Sequence, residues 1–221
     1  MTNIGPGTLA GSAEKRPGLL IACGALAREI MAVLDAGGLD GLDVTCLPAH
    51  LHIRPQLIAE AVRAKVRLGK QSHENVFVLY ADCGTGGDLD AVCAEEGVTR
   101  IPGAHCYEFF AGAETFAAMS DAEPAAFYLT DFLVRHFDRL VYAGLGLDRY
   151  PELLDDYFGN YRRVVYLAQT KNPDLEAQAK AAAVRLGLDY EYHFTGYGGL
   201  AAFTTHANQT AKQAANQRVS T

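Results

Sequence analysis

Cys23 closes the apolar run LLIAC and Cys83 closes VLYADC, and each is followed at once by glycine and then by residues at helical spacing. A thiol at a strand tip beside a helix start feels the positive end of the helix dipole. That favours the thiolate and suits it to bind a metal or to act as a nucleophile. The densest group of reactive side chains is His105-Cys106-Tyr107-Glu108. In an extended strand His105 and Cys106 point to opposite faces and only one reaches a shared centre, whereas in a loop both do. Cys23, Cys83 and Cys106 would supply three thiolates to an iron–sulfur cluster with one open iron. Cys23, Cys83 and His105 would instead form a zinc site with its fourth position open. No CxxC pair exists, which excludes a structural zinc ribbon.

Other residues complete the expected site. His50, in Leu47-Pro48-Ala49-His50-Leu51-His52, shares a face with His52 if the chain is extended, and is a candidate acid–base group beside the carboxylates Asp82 and Glu108. The run Gly84-Thr85-Gly86-Gly87 offers backbone N–H groups to an anionic part of a substrate. It lacks the Lys-Ser/Thr of a Walker loop and the spacing of a dinucleotide fingerprint. Gln169 and Tyr197 are expected to orient the substrate, Tyr197 from a flexible glycine-rich loop that closes over it. Cys46 and Cys93 read as structural.

These residues need elements to hold them, and the chain supplies a repeated plan. Segments starting at Gly18, Asn75 and Arg163 each open with a continuous apolar run, as for a strand buried on both faces. Each reaches a tip at Cys23, Cys83 or Gln169, continues through an amphipathic helix to a glycine stop, and ends in a second short strand closed by His50, His105 or His193. About two dozen residues separate first tip from last, the length a strand–helix–strand with tight loops requires. Asn172 and Pro173 mark the third helix start as N-cap and first helical position. The predicted fold is therefore α/β: three related strand–helix–strand units in pseudo-threefold arrangement, with a helical insertion before the third. The expected boundaries are a flexible tail over 1–17, units over 18–74, 75–113 and 163–203, the insertion over 114–162 and a loose tail over 204–221. Apolar residues run nearly all round the insertion, which predicts a buried helix serving as a lid or as a dimer contact in a homo-oligomer.

Composition narrows the function. Of 221 residues, 49% are hydrophobic and 20% charged, which predicts a packed core. A net charge of −7 argues against a nucleic-acid partner, which would require a basic stripe. Arg63, Lys65, Arg67 and Lys70 form the densest basic stretch, on a helix whose solvated face they would cover. Neither a signal peptide nor a membrane span is expected, so the reading is cytoplasmic, where five cysteines are free thiols or metal ligands.

The motifs ACGAL, LPAHLH, YADCGTGGDLD, PGAHCYE, FYLTDFL, YLAQT and TGYG, spread from Gly18 to Phe203, resemble a bacterial and archaeal family catalogued as domain of unknown function 1638. That resemblance implies a setting beside corrinoid-dependent methyltransferases and corrinoid carriers, in one-carbon metabolism of methylated amines or related compounds. In plan the chain is also similar to quinolinate synthase, where each of three units supplies one cluster ligand. Here Gln169 stands where the third cysteine would be, so Cys106 would have to substitute. The combined expectation is a metal-dependent transferase or lyase holding zinc or an iron–sulfur cluster and acting on a small anionic or methylated substrate, with a corrinoid protein or methyltransferase as partner. The alternatives are a non-catalytic carrier module and a metal-free thiol enzyme using Cys83.

Overall fold

A computed structural model describes residues 14–219. The chain opens with β1 (Arg16–Cys23), α1 (Ala27–Gly37), β2 (Leu42–Leu47), α2 (Ile58–Ser72), β3 (His73–Leu79), α3 (Asp88–Glu95) and β4 (Thr99–Arg100). It continues through α4 (Cys106–Ala111), α5 (Ala113–Ala122), β5 (Ala126–Thr130), α6 (Asp131–Arg135), α7 (Leu154–Phe158) and β6 (Arg163–Ala168). Last come α8 (Pro173–Leu186), β7 (Asp189–Phe194) and α9 (Gly198–Val219). The architecture is α/β with two parallel sheets, ordered β2-β1-β3-β4 and β5-β6-β7.

The first two sequence units share the first sheet, and the third lies in the second. α1 packs with α9, and α2 packs with α3. With right-handed crossovers, the pairs cover opposite faces of the first sheet. The strand interiors Leu20, Ile21, Val78 and Leu79 are fully buried between Ile30 of α1, Ile58, Val62 and Val66 of α2, and Leu200 and Ala207 of α9. Unbroken burial along both faces is why these strands read as continuous apolar runs rather than alternating ones. The basic face of α2 is used: Arg63 bonds Glu95, and Arg67 bonds Glu96 of the α3 end at 2.7 Å.

Helix ends follow the sequence. Asn172 Oδ1 accepts from the N–H groups of Asp174 and Leu175, and Gly38 and Gly187 close α1 and α8 in the left-handed region. Three expectations change. The insertion is not helical throughout, because Ala126–Thr130 is strand β5, paired along its length with β6. A short apolar run does not by itself distinguish strand from buried helix. Of the stretch 204–221 expected as a loose tail, residues 204–219 belong to α9 and residues 220–221 lie outside the described residues: Thr204, Ala207, Asn208 and Ala211 are buried against the first sheet, and Asn208 Oδ1 accepts from Gly41 N–H at 2.8 Å. Small residues there let the helix approach β1 closely, which a periodicity of large apolar residues does not reveal. Of the expected N-terminal tail, residues 1–13 lie outside the described residues, and Arg16 and Pro17 already belong to β1. The second strands of the first two units stop short of their histidines: β2 ends at Leu47 and β4 at Arg100. His193 does lie in β7, bonded to Glu191.

Candidate functional site

Strand order in the first sheet reverses at β1 and β3. β1 hands the chain to one face and β3 to the other, which opens a crevice at their carboxyl ends, where parallel sheets of this order bind ligands. Cys23, the last residue of β1, lies at this crevice. Its Sγ accepts from Ala25 N–H at 3.4 Å and stands 3.6 Å from Nδ1 of His52. Beyond β3 the chain keeps pairing, with Asp82 N–H donating to Gly103 O at 3.0 Å and Cys83 N–H to Ala104 O at 2.8 Å. That extension carries Cys83 to the start of α4, whose first residue is Cys106.

The three thiols are close enough that a charge on Cys23 opposes ionisation of Cys83, and charges on both oppose that of Cys106. Burial pushes Cys83 up to about 12, and the charge of Cys23 adds to it. Cys106 is raised by burial and then by Cys83 and Cys23. Burial also raises Cys23. Cys83 is the one non-glycine among the described residues with a left-handed backbone, at φ 52°. Such a conformation costs on the order of 1–2 kcal/mol for an ordinary L-residue and gathers at functional positions. Tyr80, directly after β3, is buried beside these thiols, with its hydroxyl directed at Cys23. The His52 ring stacks over Tyr80 with centroids 6.3 Å apart. Although His52 keeps contact with solvent, its ring is surrounded by enough protein that burial lowers its pKa, which keeps it neutral. Among the described residues no three His, Cys, Asp or Glu side chains stand close enough together to hold a single metal ion.

A cavity of about 280 Å³ adjoins this centre and takes its walls from both sheets. The turns after β1 and β2 contribute Ala25, Leu26, Ala49, His50, His52 and Ile53, and α4 contributes Cys106, Tyr107 and Phe110. The carboxyl end of β5 and the segment after it contribute Thr130, Phe132, Leu133 and Leu140. Glu29 of α1 also lines it. Glu29 is buried: one carboxyl oxygen lies 3.7 Å from the Arg135 guanidinium and the other has no partner. Burial raises its pKa, against the weaker opposing pull of its own backbone N–H and of Arg135.

The model of the family described as "Protein of unknown function (DUF1638)" matches residues 46–204. The chain belongs to the DUF1638 family. No curated protein and no solved structure matches it. Cys83 and Cys106 fall within the matched span, whereas Cys23 and Glu29 precede it.

Several residues expected at the site of this DUF1638 protein have other duties. Asp82 accepts from Thr85 Oγ1 at 2.6 Å, Gly86 N–H at 3.2 Å and Gly87 N–H at 3.0 Å. Partial burial pushes its carboxyl up, but the bonds from Thr85, Gly87, Gly86 and Gly84 outweigh that and hold it below the usual range. The N–H groups assigned to a substrate anion are thus given to the protein's own carboxylate, and Asp82 organises the loop rather than acting as a base. Glu108 accepts from Ala104 N–H at 2.7 Å and fixes the turn before α4. Gln169 is buried in the second sheet, its amide spent on Leu167 O and Asp131 N–H, so it does not orient a substrate at the thiols. Tyr197 packs against the first core, and the glycines after it start α9. At Gly198, φ is +42° and an added Cβ would stand 2.3 Å from Phe110 O, so this junction is locked onto α4 instead of free to close. His50 and His52 lie in a 3-10 turn over Ala49–Ile53, and His52, not His50, meets Cys23. His105 precedes α4 on the exposed side and tilts against Tyr107, leaving Cys106 to neighbour the other thiols.

Glu29 and Tyr80 were not legible as site residues. Glu29 did leave a trace, as the one charge on the apolar face Leu26, Ile30, Val33 and Leu34 of α1.

Proposed function

We propose that this DUF1638 protein is a metal-dependent enzyme whose reaction centre is the thiol set Cys23, Cys83 and Cys106, acting on a small substrate seated in the adjoining cavity. The observation that carries this reading is the gathering of three cysteines at the β1/β3 crevice, where Cys23, Cys83 and Cys106 pack in one cluster and the charges of Cys23 and Cys83 both bear on Cys106. Three neighbouring thiols gain from a cation because each thiolate raises the cost of the next, and a metal removes that repulsion. Zinc holds sulfur at about 2.3 Å and so needs its thiolates within ~4 Å of one another. No such group of three donors exists among the described residues, whereas a cluster of several iron and sulfide atoms bridges more widely spaced thiolates. An iron–sulfur cluster therefore ranks ahead of zinc. With three protein ligands it would leave one iron open to polarise a substrate oxygen or accept a thiol. A metal-free nucleophile is disfavoured, since a Cys83 thiol pushed up to about 12 holds little thiolate at neutral pH. Corrinoid-linked methyl or one-carbon metabolism, beside a corrinoid protein or methyltransferase, is the setting the family resemblance implies.

The test is purification without oxygen, with iron, zinc and acid-labile sulfide measured beside the visible spectrum. The expected result is stoichiometric iron and sulfide with a broad band at about 400 nm, lost in Cys83→Ser. Stoichiometric zinc without colour would move the assignment to zinc. Protein that holds neither metal after anaerobic reconstitution would overturn it. Cys83→Ala that keeps full turnover would show that the chemistry lies elsewhere.

A further inference from the structure

The cavity beside the thiols has a feature that the reaction centre does not use. Its walls are apolar and aromatic, yet Glu29 reaches it with a carboxyl group that is 5% exposed and only half partnered. We propose that this cavity binds a small organic cation, an alkylated ammonium group, held by the Glu29 carboxylate among the aromatic side chains of Tyr107, Phe110 and Phe132. The proposal depends on the reading above only in treating that occupant as the substrate.

Charge balance is the first argument. Arg135 lies between two carboxylates, 3.7 Å from Glu29 and 3.5 Å from Asp131, so one guanidinium faces two acids. Asp131 is otherwise satisfied, accepting from the Tyr166 hydroxyl, the Gln169 N–H and the Thr170 hydroxyl. Glu29 accepts only from its own backbone N–H, and Arg28 on the same helix is exposed to solvent that screens it. One negative charge is left over at the cavity, and an unpaired carboxylate out of water is costly unless a ligand completes it.

The walls decide which cation. A metal ion, ammonium or a primary amine is strongly hydrated and needs several oxygen partners in exchange for its water. This cavity offers Leu26, Ile53 and Leu133 instead. An alkylated ammonium is weakly hydrated, carries its charge inside a shell of methyl groups, and is attracted by aromatic rings. A volume of about 280 Å³ falls just under the range of drug-sized sites, which begins at about 300 Å³, and suits a small occupant.

The test compares choline with 3,3-dimethylbutan-1-ol, its uncharged carbon isostere, by calorimetric titration of the protein as purified. The expected result is choline binding at least tenfold tighter, with the preference abolished in Glu29→Gln and both ligands weakened in Phe132→Ala. Thermal unfolding of each variant confirms that it remains folded. Equal binding of the two ligands, binding of neither, or a preference that survives in folded Glu29→Gln would overturn the proposal. Because the titration needs no metal, a missing cluster with an intact choline preference would sink the reaction centre alone, and the converse would sink only the cation site.

Discussion

The two sheets each carry a polar cluster at their carboxyl ends, and the clusters differ in what they leave unpaired. In the second sheet Asp131 is fully buried, and its carboxylate accepts from Tyr166 at 2.7 Å, Gln169 N–H at 3.0 Å and Thr170, with Arg135 alongside. In the first sheet the charges of Cys23 and Cys83 oppose ionisation of Cys106, and Glu29 has one carboxyl oxygen without a hydrogen-bond partner. Topology accounts for the contrast. β5, β6 and β7 follow one another in order, so every connection moves the same way, whereas β1 and β3 diverge and leave a crevice. A satisfied network specifies and stabilises a fold, while unmet polar groups in a crevice are what a ligand completes.

The largest effect should come from breaking the satisfied cluster. Asp131→Ala removes the acceptor for three donors and one of the two carboxylates beside Arg135. A loss of about 3–5 kcal/mol, typical of breaking a buried charged network, is expected in denaturant unfolding. Under conditions where the variant still folds, bound metal per folded chain should not change. A loss below 1 kcal/mol would mean that the second cluster does not hold the fold and that the contrast fails.

The sequence made the first half of this comparison legible and the second half misleading. Cys23 and Cys83 could be singled out because each is a thiol closing an apolar run before a glycine, and the β1/β3 divergence brings both to one crevice; Cys106 stood only as an alternative to His105. Gln169 was drawn into the site by its matching position at the tip of β6, and only the hydrogen bonds to Leu167 and Asp131 show that it belongs to the other cluster. The division into two sheets was hidden because β5 looks like part of a buried helix until its pairing with β6 is known. Asp82 misled for a related reason. A glycine-rich loop advertises free N–H groups, but it cannot show that the preceding carboxylate turns back to take them.

Glu29 supplies an intermediate effect with the opposite sign. Burial raises its pKa in the folded chain, so its favourable contribution is complete below the unfolded value of about 4.3 and is lost as pH rises through the higher folded value. Glutamine imitates the protonated form and does not titrate. Glu29→Gln should therefore match the parent protein near pH 4 and become more stable as pH rises, by about 0.5–2 kcal/mol, the range common when a functional group held at a cost to stability is removed. Thermal unfolding at pH 4 and pH 7.5 measures it. A variant less stable at pH 7.5 would place Glu29 with Asp131, as a structural carboxylate satisfied by Arg135.

The smallest change in stability separates the clusters most sharply. Cys83 keeps a left-handed backbone at φ 52° although it is not glycine, a conformation that costs it on the order of 1–2 kcal/mol. Cys83→Gly relieves that strain. It also frees the unfolded chain, which offsets roughly 0.5–1 kcal/mol of the gain, and removes a half-buried thiol from the core. The net change should lie within about 1 kcal/mol of zero, read as an unchanged unfolding midpoint, while bound iron falls to background. A residue that holds the fold would show the reverse, a large loss of stability with metal content intact in whatever remained folded. Finding that pattern at Cys83 would make the strained turn part of the scaffold and leave the crevice without its centre.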